Sequence, residues 1–338
     1  MLQLYPLKFE PILKEKIWGG HILANQYGKN EDRLKNIGES WELSAFPGDL
    51  SVVSNGYLAG NNIVEILEVY MGDIVGDDIY DLFGNEFPLL IKLIEAKDVL
   101  SVQVHPGDEQ ARRIHNSNGK TEMWYILQSE KDARIYTGFS RPVSKEEYII
   151  SLNNGTIQDI LNYEIAEPGD TFFTPAGRIH AIGAGIVLAE IQQTSDLTYR
   201  IYDWGRKNKD GSERELHTEL ALEAIDFSAA GKVKIKKPLS ENITENLVRN
   251  KYFTTNILNF NEPLDKDFNQ IDSFVVYLCT EGRFIIRYDD NAEIVTKGET
   301  VLLPAMLRNV ILDPGPEATV LEIYIENENN FHQTSKTI

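Results

Sequence analysis

Six histidines are spread over 338 residues, and His180 closes the most telling stretch around any of them. That stretch reads Gly169, five residues, Pro175, one residue, Gly177, two residues, then the imidazole. Glu167-Pro168-Gly169-Asp170 has turn chemistry, and Thr171 to Thr174 has strand composition. Pro175 and Gly177 then reverse the chain, so His180 emerges where a rigid scaffold can aim it inward. An inward imidazole suits metal ligation, but a metal needs partners, usually three protein donors with one position left open. Around residue 103 the chain alternates. Leu100, Val102 and Val104 share one face, and Ser101, Gln103 and His105 share the other. Glu122 opens a further strand, Glu122 to Leu127. Gln103, His105, Glu122 and His180 would form an N2O2 set suited to Zn2+, with Mn2+, Fe2+, Co2+ or Ni2+ able to occupy it. Alternation supports pairing Gln103 with His105. It says little for Glu122, since a Glu at a strand start is commonly a solvated rim residue.

The elements that must position these residues read mainly as strands. Residues 39–44 alternate, with Glu42 and Ser44 on one face and Trp41 and Leu43 on the other. Phe87 to Glu95 is an apolar run bounded by turn residues, as in a buried strand. Further strands are expected at 123–127, 133–137, 186–193 and 198–203. Beyond about residue 231 nearly everything reads as strand: 232–237, 251–259, 273–280, 283–288, 292–296, 300–303, 308–312 and 319–325. Short helices interrupt the first half. One spans 61–71, capped by Asn61 or Asn62, and others lie at 77–83, 108–114 and near 156–162. Ser144 and Glu147 fit a capping box for a helix to Leu152, and 218–225 is a last helix. The polar tail from Glu326 is expected to fray.

Composition narrows the classes of function. The net charge of −19 opposes binding to nucleic acid or to an anionic membrane surface. An anionic substrate would therefore need a local basic cluster set against the overall field. The single cysteine, Cys279, lies in an apolar run and reads as a core residue, which fits a reducing, cytoplasmic setting. No apolar run approaches the ~18 residues of a membrane span, and the first residues lack a signal-peptide pattern.

The His180 stretch has an echo. Gly298, Glu299 and Thr300, three more residues, then Pro304 and Ala305 repeat its order, with Met306 in place of Gly177 and Asn309 in place of His180. The first copy resembles the second conserved motif of the cupin β-barrels, whose His is a metal ligand. Two barrels of one ancestral pattern are thus expected, residues 1–235 with metal and helical insertions and 236–338 without ligands.

Gln103-Val104-His105-Pro106, Gly119-Lys120-Thr121-Glu122-Met123-Trp124, the Gly169–His180 block and Ser195-Asp196-Leu197-Thr198-Tyr199-Arg200 follow one another in an order that resembles type I mannose-6-phosphate isomerase in its short bacterial form. Trp18-Gly19-Gly20 and residues 39–44 resemble that family's N-terminal region. The resemblance implies a zinc-dependent two-cupin enzyme that interconverts mannose 6-phosphate and fructose 6-phosphate. It implies one divalent metal per chain on Gln103, His105, Glu122 and His180, with Gln103 the weakest ligand. It also places the active-site arginine at Arg200, with Asp196 and Lys120 as its companions. Thr121 replaces the Pro of many members and leaves the flanking Lys120 and Glu122 intact.

The chemistry is consistent with this. Aldose–ketose isomerisation moves a proton between C2 and C1 through a cis-enediolate, and charge developing on oxygen is its difficult part. A cation and a fixed guanidinium, Arg200, suit that charge. Asp196 or Lys120 would move the proton, although Asp196 could equally cap a turn and Lys120 could be a solvated loop residue. Glu42, Ser44 and Arg178 are candidates for substrate binding. His21, His115, His217 and His332 read as incidental. A monomer or weak homodimer acting on a small sugar phosphate is expected. The alternatives are an iron-dependent cupin oxygenase, which would favour a His-rich site, and a non-catalytic sugar-binding cupin, which would not need Lys120, Asp196 and Arg200.

Overall fold

The computed structural model describes residues 3–30, 34–207 and 210–326; His332 and the tail beyond Glu326 lie outside the described residues. The chain is mainly β, and every pairing between its named strands is antiparallel. Its centre is a seven-stranded sheet in the order Lys234–Lys236, Asp170–Thr174, Glu122–Ser129, Ile186–Gln193, Leu89–Ala96, Ile37–Leu43, Ile12–Gly20. Leu89–Ala96 is buried along its whole length because both faces of this sheet are covered. On one face Ile94, Ala96, Trp124, Ile126, Phe172 and Leu188 pack against Ile135 and Ile182 of a five-stranded sheet. On the other, Leu89, Ile91, Leu93, Met123 and Ile191 meet Phe253, Ile257, Val276, Leu302 and Leu321 of an eight-stranded sheet. That third sheet is built mostly from the C-terminal part, yet Leu7–Lys8 also pairs into it, beside Thr300–Leu303.

The five-stranded sheet runs Leu161–Ile165, Arg134–Phe139, His180–Ile182, Val102–Val104, Tyr199–Tyr202. Its outer face, including Val102, Val104, Ile179, Ala181, Tyr199 and Ile201, is covered by apolar side chains from helical segments, among them Tyr148, Ala221 and Ile225. No helix among the described residues is long and apolar enough to cross a membrane.

Several expected elements change in detail. The stretch near 156–162 is a single 3-10 turn, Ile157–Asp159, followed by the strand Leu161–Ile165 on Arg134–Phe139. The expected strand 251–259 starts only at Thr254. Ahead of it the Asn250 side chain accepts the Tyr252 and Phe253 N–H groups and forms a tight turn from the strand Ile243–Arg249. Strands 273–280 and 283–288 are one strand, Val275–Tyr288, carried through two bulges, and 308–312 with 319–325 form Asn309–Tyr324. Helix Ile63–Tyr70 has Asn62 as its cap in a full capping box.

The most consequential correction concerns residues 39–44. Trp41 pairs with Lys92 and Leu43 with Ile91, with a bulge between them, so Trp41 and Leu43 lie on opposite faces. Glu42 turns with Ser40 to the Leu93 side, away from Lys92.

The echo between the two glycine stretches extends to the backbone. Gly169 and Gly298 have φ of 86° and 84°. Their N–H groups donate to Ile126 O at 2.9 Å and Cys279 O at 2.8 Å. Arg178 N–H donates to Pro175 O, and Leu307 N–H to Pro304 O. The divergence falls at Gly177, which needs φ 88°, where Met306 closes the turn without a left-handed residue.

Candidate active site

Register brings the metal-ligand candidates together. His180 pairs with Gln103, and Gln103 pairs on its other side with Arg200, so these three share the inner face of the five-stranded sheet. Facing them, Glu122 starts its strand between Thr174 and Gln192 on the seven-stranded sheet. His105 follows directly after Val102–Val104. His105, Glu122 and His180 are all buried, and their donor atoms lie within 4.8 Å of one another. His105 Nε2 is 3.5 Å from one Glu122 oxygen, and His180 Nε2 is 3.4 Å from the other. Two donors about 2.1 Å from a common tetrahedral ion stand about 3.4 Å apart, so the spacing fits a metal.

The hydrogen bonds fit as well. His105 Nδ1 meets Leu197 O at 2.7 Å, and His180 Nδ1 meets Arg178 O at 2.8 Å. A carbonyl can only accept, so each Nδ1 carries the proton and each Nε2 presents a lone pair toward Glu122. Burial lowers the pKa of both rings, that of His180 to about 3, which keeps them neutral. Burial works to raise the Glu122 pKa. Lys120 is the largest opposing influence, and the carboxyl is held well below its usual range. Both Glu122 oxygens are buried without a well-aligned hydrogen-bond donor. Lys120 Nζ lies 3.0 Å from one of them as an ion pair, and 3.3 Å from His105 Nε2. Gln103 is beside the cluster, but its amide nitrogen faces His180 Nε2 at 3.3 Å while Ser101 donates to its oxygen. Its oxygen would have to turn inward before it could ligate.

Lys120 is fully buried. Burial opposes its charge, but Glu122, Glu190 and Asp196 together raise its pKa above the ordinary lysine value. Asp196 is exposed near the rim. Arg200 donates from Nη1 to Glu215 O at 2.8 Å and from its backbone to His217 Nδ1, while its buried Nε has no acceptor. Burial and then Arg214 lower its pKa.

Five side chains, in two linked sets, escaped the sequence reading. Glu190 is buried, accepts the Trp124 indole N–H at 2.9 Å and pairs with Lys92 at 3.1 Å. Lys92 in turn lies over the Trp41 ring. A lysine and a glutamate inside two apolar strand runs were the available signal. Arg206 and Arg214 both pair with the single buried carboxylate of Asp203, close enough to Arg200 to influence its charge. The proposed substrate-binding residues are engaged elsewhere. Glu42 pairs with Lys29 and Ser40, and Ser44 accepts the Phe46 N–H. Arg178 donates to Phe173 O, and only its carbonyl serves the cluster.

Residues 6–135 match the family model for the phosphomannose isomerase type I catalytic domain. The mannose-6-phosphate isomerase ManA of Bacillus subtilis is 35% identical over 318 residues, covering 93% of this chain and 98% of the relative. The chain belongs to the type I phosphomannose isomerase family. Another phosphomannose isomerase relative, the mannose-6-phosphate isomerase of Streptococcus mutans, is 34% identical over 90% of this chain and 94% of its own. The crystal structure of the mannose 6-phosphate isomerase from Bacillus subtilis superposes with a TM-score of 0.83 at 30% identity, covering 95% of this chain and all of that one. The mainly β architecture is that of the family, consistent with its cupin fold.

Proposed function

We propose that this protein interconverts mannose 6-phosphate and fructose 6-phosphate through a cis-enediolate, using one divalent ion, with Zn2+ the leading candidate. The observation that carries the reading is the buried convergence of His105, Glu122 and His180, each imidazole fixed with a lone pair inward, in a chain of this family. Those three residues would hold the ion, with Gln103 as a further donor once its amide turns. When bound, such an ion supplies polarisation of the substrate carbonyl and compensation for negative charge on its oxygen.

The chain's own residues supply the remainder. Lys120, held protonated among Glu122, Glu190 and Asp196, can donate a hydrogen bond or a proton to a developing oxyanion. Asp196, whose charge is felt at Lys120, is our other candidate for moving the proton from carbon. Arg200 has an unused buried N–H on the same sheet face as Gln103 and His180, suited to the enediolate or to a sugar hydroxyl. Arg200, Arg206 and Arg214 together carry three positive charges around one aspartate. That is the local basic cluster a phosphate ester requires in a chain of net charge −19.

We take residues 1–235 as the catalytic unit and 236–338 as a second cupin barrel without ligands. The repeated turn at Gly298 and the Asn309 in place of histidine support this. A monomer or weak homodimer is the expected assembly, and the buried lone Cys279 suits a cytoplasmic setting. The test is a coupled assay for fructose 6-phosphate formed from mannose 6-phosphate, with metal content measured in two variants. His180→Ala should lose both metal and turnover, and Arg200→Ala should lose turnover with metal retained. Absence of turnover in the zinc-supplied parent, or equal metal loss in both variants, contradicts the assignment.

A further inference from the structure

We infer that Tyr252, delivered by the eight-stranded sheet, is a positioning residue for the catalytic segment and acts through the Asp108 carboxylate. The inference rests on the isomerase reading above and gives the C-terminal part a role in turnover.

His105 and the Lys120–Glu122 pair sit at the two ends of one excursion of the chain, and Asp108 ties those ends together. Its Oδ1 accepts the Gly119 N–H at 3.0 Å and the Gln193 amide at 3.0 Å. Gln193 Oε1 accepts the Thr121 N–H at 2.9 Å, and Gln193 N–H donates to Thr121 O. Lys120 N–H donates to Pro106 O at 3.1 Å, next to His105. The approach is close. A Cβ on Gly119 would come within 2.6 Å of the Asp108 nitrogen. Gln193 also leads directly into Ser195 and Asp196, and Ser195 Oγ donates to Asn118 O. Asp108 is therefore the junction between His105, Lys120, Glu122 and, through Gln193, Asp196.

Its second oxygen, Oδ2, accepts the Tyr252 hydroxyl at 2.6 Å. Lys251 contributes a looser contact at 3.8 Å from an exposed position. Local contacts hold Tyr252 in this place. It occupies the Asn250 turn, and the next residue, Phe253, is fully buried in the core between the central and C-terminal sheets. A hydrogen bond from a phenol to a carboxylate is charge-assisted and directional, so it fixes the rotamer of Asp108 and with it both ends of the excursion. The hydroxyl lies at the wall of a cleft of about 590 Å3 that includes none of the metal-cluster residues, so it lies outside the reacting centre. Water from that cleft can replace the hydroxyl in part, which makes a moderate effect the expectation rather than abolition.

Tyr252→Phe removes the hydroxyl and keeps the ring. In the full-length, zinc-loaded chain, kcat for mannose 6-phosphate should fall roughly tenfold while KM stays within about twofold. Zinc content and thermal midpoint should match the parent. Asp108→Asn should fall at least as far, and adding Tyr252→Phe to it should lower kcat no further, because the hydroxyl acts through that carboxylate. The inference is overturned by a Tyr252→Phe kcat within about twofold of the parent. It is also overturned by a loss that tracks released zinc or a lowered thermal midpoint, or by effects that multiply in the double variant. A parent chain without turnover would instead overturn the isomerase reading, so the two failures are distinguishable.

Discussion

His105 and His180 each commit one ring nitrogen to a backbone carbonyl, and that commitment decides what the other nitrogen can do. With Nδ1 protonated and burial keeping the rings neutral, Nε2 is a ligand atom and not an acid. Lys120 is the opposite case, a buried ammonium kept charged by three carboxylates. Replacing it with Met preserves much of the side chain's length and removes the charge. Lys120→Met should lower kcat by about 10²-fold or more with zinc content unchanged; near-parental kcat by steady-state assay would show that Lys120 only balances charge. Much of this scale was legible in the sequence. Alternation placed Gln103 and His105 on one face, and turn grammar flagged His180. Glu122 needed the family resemblance, because one carboxylate at a strand start carries no periodic signal. Glu190 and Lys92 were missed because each looks like an isolated charge until strand pairing at Glu190–Lys92 brings them together.

The same limit operates at the scale of elements. Most strands were readable from composition, but Leu161–Ile165 and Ile243–Arg249 were not, nor were the bulges, and one bulge reverses a face assignment. Between Trp41 and Leu43 it turns Glu42 to the sheet face opposite the site, where it stays buried, and leaves Trp41 beside Lys92. Glu39, on that strand, accepts the Trp41 indole N–H at 2.7 Å and pairs with Lys16 at 3.0 Å. Burial works to raise its pKa, while Lys92, Lys16 and the indole pull it down to about 2. A depressed carboxylate contributes stability above its unfolded value, about 4.3, and that contribution is lost as pH falls through the folded value. Unfolding free energy should therefore drop by roughly 2–3 kcal/mol between about pH 5 and pH 2. Glu39→Gln should remove that part of the slope in denaturant titrations, and matching acid profiles for the two chains would contradict the assignment. The long strands Val275–Tyr288 and Asn309–Tyr324 make a related point. Gly282 and Pro314 to Pro316 read locally as breaks, yet the paired bulges carry both strands through.

For the whole molecule, the decisive fact is that the seven-stranded sheet has no free face. Its inner face holds the site, and its outer face is the core shared with the eight-stranded sheet. Leu89, Ile91, Leu93, Met123 and Ile191 on that outer face are fully buried. A fragment of residues 1–235 should thus expose a broad apolar surface and aggregate rather than remain monodisperse. Size-exclusion chromatography with light scattering checks this, and a stable monomeric fragment with native-like circular dichroism would contradict it. The apolar character of residues 87–95 announced a buried strand, but not which sheets covered it. Pairing of Leu7–Lys8 with Thr300–Leu303 spans nearly the whole described chain, and contacts that remote leave no local pattern. The Gly298 echo was the exception, because repetition is visible without knowing any contact.

Turnover is proposed to depend on an ion held by His105, Glu122 and His180. The most direct test is to strip the chain with a chelator, restore Zn2+ in steps and follow bound metal and conversion of mannose 6-phosphate together. The stripped chain should give no conversion, and activity should rise in proportion to metal bound at a single site. Full activity in the stripped chain, or metal binding that restores none, would contradict that dependence.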